Sequence, residues 1–282
     1  MRNVIMYAFR LTIGKMMEMS FLDNYKRVVI KIGSSTLTHA ETGSLNFSKM
    51  ERLVRSICDY RNSGMDVCLV SSGAIAVGRD VIGIKERPSD ISIKQACAAV
   101  GQGRLMMTYQ KLFSEYNQNS GQVLMTKNTI VNPVSRRNVM NTFEELFDLN
   151  VVPIVNENDT VAIDELELEM GENDSLAAVV ATIANADLLI IMSDIDGLYD
   201  SDPRQNPDAK MIPVVREISE DIHAVAGGAG TKFGTGGMAT KIHAVEIAYE
   251  SDIDVVLMNG QHPKKLYELF EDKPVGTLFH KG

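Results

Sequence analysis

Three runs of this chain, 65–70, 151–155 and 187–192, are almost unbroken strings of apolar residues, and helical patterns stand between them. A strand that is apolar on both faces needs helices on both faces, which is the setting of parallel strands joined by crossovers. The alternation predicts an α/β fold, a three-layer αβα sandwich around one open, mostly parallel sheet. Ligands of such sheets sit beyond the carboxyl ends of the strands. A motif that follows a strand or opens a helix is therefore the first place to look for chemistry.

The first strand is expected at Arg27–Ile32. A helix follows from about Ser48 to Asn62, with Ser48 as N-cap, Glu51 three residues on and Gly64 as terminator. After strand 65–70 comes a long helical region, Asp90 to Asn117, interrupted at Gly101-x-Gly103. Strands at 122–126 and 151–155 bracket a helix from Ser135 to Asp148, and residues 160–170 read as a β-hairpin. An Ala-rich helix (174–184), strand 187–192, a long loop, helix 237–250, strand 253–258, a short helix from Pro263 and a strand 276–280 complete the pattern.

The net charge of −9 argues against a basic surface for nucleic acid, so an anionic ligand must be held by a local cluster of donors. No window reaches the ~20 apolar residues of a membrane span. Cys58, Cys68 and Cys97 are odd in number, lack metal spacing and lie in apolar segments, which reads as buried free thiols in a reducing, cytoplasmic setting. Residues 1–24 read as an N-terminal extension. Lys15 and Glu18 break the region that would precede cleavage of a signal peptide, and no A-x-A site follows.

Five segments carry candidate chemistry. Gly234-Thr235-Gly236-Gly237 runs into a helix that begins Met238-Ala239-Thr240-Lys241. Glycines admit close backbone approach, and a helix start offers free N–H groups, so this suits an anion such as phosphate; a solvated Gly-rich loop has the same composition. Lys31, at the end of the first strand, can reach a phosphate above the sheet or snorkel from a strand end. Ser71-Ser72-Gly73-Ala74 is a further nest of N–H groups or a simple strand-to-helix turn. Two Glu-Asn-Asp triplets, at 157–159 and 172–174, flank the expected hairpin and suit a polar pocket, although Asp174 alone could be an N-cap. Ser193-Asp194 opens a polar loop that ends in Asp202-Pro-Arg204, without EF-hand spacing. Cationic and acidic-amide elements gathered at strand ends suit phosphoryl transfer between two bound substrates.

On these words the chain resembles the amino acid kinase family, and within it the members whose acceptor is glutamate. The resemblance runs from about Tyr25 to Lys281. It rests on Val28-Val-Ile-Lys31-Ile-Gly33, Val70-Ser-Ser72-Gly-Ala-Ile-Ala-Val-Gly78, Val152-Pro-Ile-Val-Asn-Glu-Asn-Asp159, Gly171-Glu-Asn173-Asp174, Asp194-x-x-Gly-Leu-Tyr199, Asp202-Pro-Arg204-x-x-Pro207 and Gly234 to Lys241. It implies a kinase domain over 25–282 that phosphorylates the γ-carboxylate of L-glutamate with ATP, the first step of proline biosynthesis. Lys31 and Lys241 would neutralise the transferring phosphoryl group, and Asp174 would orient them. Ser72, Asp159 and Asn173 would bind glutamate. Lys31, Ser193, Asp194, Thr235, Gly236, Gly237, Met238, Ala239, Thr240 and Lys241 would bind ATP.

A γ-carboxylate is already ionised at neutral pH (reference pKa about 4.3), so no general base is required. The physical difficulty is bringing two anions together, which two lysines and Mg²⁺ address. The ion is expected to be held mainly by nucleotide phosphates. The resemblance further implies a homodimer or homotetramer and feedback inhibition by proline. The C-terminal PUA module of many relatives is expected to be missing. Other acceptors (acetylglutamate, carbamate, aspartate, a nucleoside monophosphate) keep the same fold. Asp159 favours a free α-ammonium over an acetylated one. A sensor without turnover is the reading from a different class, and it has no need of both lysines.

Overall fold

Strand β1 (Arg27–Ile32) runs through the middle of an eight-stranded sheet. The others are β2 (Asp66–Val70), β3 (Asn119–Met125), β4 (Val151–Glu157), β5 (Leu188–Ser193), β6 (Val214–Val215), β7 (Asp254–Asn259) and β8 (Thr277–Phe279). Their order is β3-β4-β2-β1-β5-β7-β8-β6, and every neighbouring pair is parallel except β7 with β8. This computed structural model describes residues 24–39, 42–161, 173–227, 237–271 and 273–281. The expected N-terminal extension before Asn24, the body of the hairpin at 162–170, and Thr235 and Gly236 of the Gly-rich loop lie outside the described residues.

Ten helices are described: α1 (Ser34–Leu37), α2 (Phe47–Asn62), α3 (Ala74–Ile82), α4 (Ile91–Ser114), α5 (Lys127–Val131), α6 (Pro133–Asp148), α7 (Asn173–Ile183), α8 (Glu220–Ala226), α9 (Met238–Glu250) and α10 (Lys265–Phe270). The two-residue period of β1 divides them between layers. Val28, Ile30 and Ile32 pack with Met50 and Leu53 of α2, Leu105 of α4 and Leu266 of α10. Val29 points the other way, into a core with Phe143 of α6, Val180 of α7 and Val245 of α9. Lys31 shares the parity of Val29, so it rises on the α7–α9 side. The three-layer αβα sandwich is as expected.

Several boundaries differ for identifiable reasons. Helix α2 is capped by Asn46, whose side chain accepts the Lys49 N–H, and not by Ser48. Asparagine caps as well as serine, and Glu51 is taken instead by the Tyr116 hydroxyl at 2.6 Å. Helix α6 starts two residues earlier than expected, because Asn132 caps it and Pro133 sits at its first position. Strand β3 starts at Asn119 and extends the expected run backward. Helices α1 and α8 and the two-residue β6 have no strong pattern in sequence.

Helix α4 is continuous through Gly101 and Gly103, so the expected interruption is absent. Gly101 is there for close packing instead. A Cβ at Gly101 would lie 1.8 Å from the Ala74 carbonyl oxygen, and one at Gly78 would lie 1.7 Å from that of Cys97. Helices α3 and α4 thus cross backbone to backbone. We expect Gly101→Ala to destabilise the chain by about 1–3 kcal/mol in denaturant unfolding, since forced overpacking outweighs the helix propensity gained. A neutral result would mean that the helices part without cost.

Four turns at the amino edge of the sheet share one construction. Gly64, Asn117, Asn185 and Asp252 all have left-handed φ, between 50° and 96°. After each, a backbone N–H reaches back five residues: Met65 to Tyr60, Gln118 to Phe113, Ala186 to Ala181 and Ile253 to Ala248. These are Schellman closures that stop a helix and launch a strand. Gly64 fulfils its expected role. All three cysteines are free and buried, also as expected.

Candidate active site

The carboxyl ends of β1, β2, β4 and β5 meet on the opposite edge of the sheet, where the chain, after β4, crosses to the other side of β1 to form β5. Lys31 comes from β1, Asp174 from the first turn of α7 and Lys241 from the first turn of α9. The Lys31 Nζ lies 2.5 Å from Asp174 Oδ1, and the Lys241 Nζ lies 3.1 Å from Oδ2. Asp174 is fully buried, and both lysine side chains are less than a tenth exposed. Burial alone would push the Asp174 carboxyl up, but the two ammonium groups outweigh it and hold its pKa below the usual carboxylate range. This group of three sets two cationic side chains against one carboxylate at a strand-end crevice. Such a site is built to receive an anion.

Two helix starts face the same edge. Gly237 precedes α9 and Gly73 precedes α3, and as glycines neither N-cap residue has a side chain to cap its helix. Their first-turn N–H groups offer further anion contacts. Gly73 takes a left-handed φ of 96°, and its Cα-facing space is shared with Ser34, whose Cβ would lie 3.4 Å from an added Cβ. Met238, Ala239 and Thr240 occupy the first turn of α9, and the Thr240 hydroxyl donates to the Gly237 carbonyl at 2.8 Å.

The amide of Asn173 joins the candidate acceptor residues. Its Nδ2 donates to the Ser72 hydroxyl at 2.5 Å and the Ser71 carbonyl at 3.0 Å, with Asn156 Oδ1 at 3.4 Å. Asn173 of the second Glu-Asn-Asp triplet thus reaches Asn156, the residue just before the first. Asp159 lies just past β4, partly buried. On the far side of β1, the Ser193 hydroxyl donates to the Asp194 carboxylate at 3.0 Å. Asp196 pairs with Lys265 at 2.9 Å, and that ammonium lowers its pKa. Asp202 and Arg204 form an exposed turn of their own, with the Arg204 Nε 3.0 Å from Asp202 Oδ1.

Sequence reasoning missed Gln102 and Tyr109. Gln102 Oε1 accepts from Asn156 Nδ2 at 2.9 Å, and the Tyr109 hydroxyl lies 3.0 Å from that of Ser71. The available signal was a polar residue inside the buried stripe Cys97, Ala98, Gly101, Gln102, Leu105, Tyr109 of one helix. Among the described residues, no group of three His, Cys, Asp or Glu side chains is placed to hold a metal ion. None of the described helices is long and apolar enough to cross a membrane.

Residues 26–259 match the model of the amino acid kinase family. The glutamate 5-kinase of Clostridium acetobutylicum is 52% identical over 259 residues, covering 92% of this chain and 96% of that protein. The glutamate 5-kinase of Clostridium perfringens is 48% identical over 260 residues, with the same coverage of 92% and 96%. Among solved structures, UMP kinase from Ureaplasma parvum superposes with a TM-score of 0.62 at 19% identity, covering 91% of this chain and 99% of that one. Isopentenyl phosphate kinase from T. acidophilum gives 0.59 at 17% identity, with coverage of 90% and 100%. These two likenesses speak for the fold alone. By the matched residues and the close relatives, this chain belongs to the amino acid kinase family, on its glutamate 5-kinase branch.

Proposed function

We propose that this chain transfers the γ-phosphoryl group of ATP to the side-chain carboxylate of L-glutamate, giving L-glutamyl 5-phosphate and ADP, the opening step of proline synthesis. The observation that carries the chemistry is the buried Lys31–Asp174–Lys241 group. A carboxylate oxygen attacks the γ-phosphorus, and the bond from that phosphorus to the bridging oxygen of ADP breaks. No proton needs to move, because the acceptor is ionised beforehand. Positioning and charge neutralisation do the work. Lys31 and Lys241 meet the charge on the transferring group, and Asp174 holds both ammonium groups at fixed separation. Gly237 to Thr240 offer N–H groups to the phosphates, with Ser193 and Asp194 on the nucleotide side.

Mg²⁺ fits as the companion of the nucleotide. The carboxylate at the centre already serves two lysines, so phosphate oxygens and water would hold the ion, as hard cations accept. On the acceptor side, Ser72 and Asn173 would take the α-carboxylate and α-ammonium, and Asp159 would add its charge to the ammonium contact.

ADP release with Mg-ATP against L-glutamate, N-acetylglutamate, L-aspartate, carbamate and UMP tests this reading. Turnover is expected with L-glutamate. Turnover confined to another acceptor would discard the acceptor assignment. Asp159→Ala is expected to raise the KM for glutamate about 10- to 100-fold, the worth of a hydrogen bond to a charged group, with the KM for ATP unchanged. Equal effects on both would place Asp159 elsewhere in the reaction.

A further inference from the structure

We infer that Gln102, which lies outside the acceptor contacts, holds Asn156 in place behind the acceptor site by accepting its Nδ2, and so sets the affinity of that site for a zwitterionic amino acid. It is a positioning residue, and the inference rests on the glutamate reading above.

Two backbone groups determine the polarity of the whole amide chain. The Glu157 N–H lies 2.9 Å from one atom of the Asn156 amide, so that atom is the acceptor Oδ1. The other Asn156 atom is then Nδ2, and it needs an acceptor. Gln102 Oε1 supplies one at 2.9 Å. At the far end, the Ser71 carbonyl can only accept, so the atom of Asn173 beside it is Nδ2.

The consequences reach the substrate side. Asn173 Nδ2 shares its hydrogens among the Ser72 hydroxyl, the Ser71 carbonyl and, at 3.4 Å, Asn156 Oδ1, and its own Oδ1 accepts no hydrogen bond among the described residues. That oxygen is left for a donor, such as an α-ammonium. The Ser72 oxygen accepts from Asn173, so its own hydrogen is left for an acceptor, such as an α-carboxylate. One acceptor oxygen and one hydroxyl donor, side by side, match the two ends of a free amino acid.

Asn156 and Gln102 are both buried, at 2% and 8% exposure, so water does not readily replace a lost partner. Without Gln102 Oε1, the Asn156 Nδ2 is a buried donor with nothing to meet. Asn156 cannot simply rotate its amide by half a turn, because two donors would then oppose each other at the Glu157 N–H. Its remaining course is to shift, which moves the Oδ1 that lies 3.4 Å from Asn173 Nδ2 and so disturbs the amide that holds Ser72.

The test is steady-state kinetics with Mg-ATP and L-glutamate on the parent, Gln102→Met, Gln102→Glu, Asn173→Ala and the Gln102→Met/Asn173→Ala double variant. Gln102→Met is expected to raise the KM for glutamate roughly tenfold, with the KM for ATP within about twofold of the parent and kcat within about threefold. Gln102→Glu keeps an acceptor oxygen in place and is expected to stay within about threefold of the parent in glutamate KM. In the Asn173→Ala background, Gln102→Met is expected to add less than about twofold, because the path through Asn173 is already gone.

An unmoved glutamate KM in Gln102→Met, a matching rise in the KM for ATP, or a full additional effect in the double variant overturns the inference. If Gln102→Met does not fold, Gln102→Glu decides: a tenfold loss of glutamate affinity there overturns it as well. A parent that turns over no glutamate removes the functional reading and this inference with it. A parent that turns over glutamate while Gln102→Met behaves like it removes the inference alone.

Discussion

Lys241→Met is expected to lower kcat by about a thousandfold or more while leaving the chain folded. The methionine fills nearly the same volume in a site where Lys241 is only 4% exposed. Asp174 keeps its ion pair with Lys31, so no charge is stranded. One of the two ammonium groups disappears, and with it the donor that meets the charge on the transferring group. Single positioned cations and oxyanion donors are worth about 10²–10⁵ in comparable reactions. Single-turnover kinetics beside circular dichroism checks both halves. A folded variant with kcat within tenfold of the parent would take Lys241 out of the phosphoryl site.

Asp174→Ala is expected to cost stability as well as turnover. It strands two buried ammonium groups beside each other, and breaking a buried pair in this way costs about 3–5 kcal/mol. For a chain of this size that corresponds to roughly 5–8 °C in Tm. The pH dependence has a definite sign. The folded carboxyl titrates below its unfolded counterpart, so its stabilisation is complete above the unfolded value of about 3.9 and is lost as pH falls through the lower, folded value. The stability gap between parent and Asp174→Ala should stay constant from pH 5 to 7 and narrow in acid. Thermal melts across that range test it, and a gap that closes already near pH 6 would contradict the assigned charge state.

Much of this arrangement is legible in the residues, and the exceptions have causes. Continuously apolar runs marked β2, β4 and β5, because strands covered on both faces leave no ambiguity of pattern. Gly64 was readable as a helix terminator, whereas Asn117, Asn185 and Asp252 were not, since asparagine and aspartate serve caps and turns of many kinds. The glycines of α4 looked like a break because their purpose, contact with α3, is tertiary. Lys31, Asp174 and Lys241 were predicted, and the structure brings them into contact. The resemblance named Ser72 and Asn173 as acceptor-side residues, and neither their hydrogen bond nor the amide chain behind them was legible. A buried glutamine on a helix carries no local mark of the asparagine it will meet 54 residues later.

The strand order also bears on how the chain is made. Strand β1 is made before the other described strands and sits in the centre of the sheet, between β2 and β5. Its β2 side can pair early. Its other edge must wait for β5, after roughly 120 further residues of translation. At typical synthesis rates of about 5–20 residues per second, that is roughly 6–24 s with a bare, apolar strand edge available to other chains. Asp174 emerges in the same late stretch, so Lys31 is without its counter-ion for nearly as long. The nascent chain is thus most exposed to misassociation in the interval between its second strand and its fifth, and a holding chaperone would act to greatest effect there.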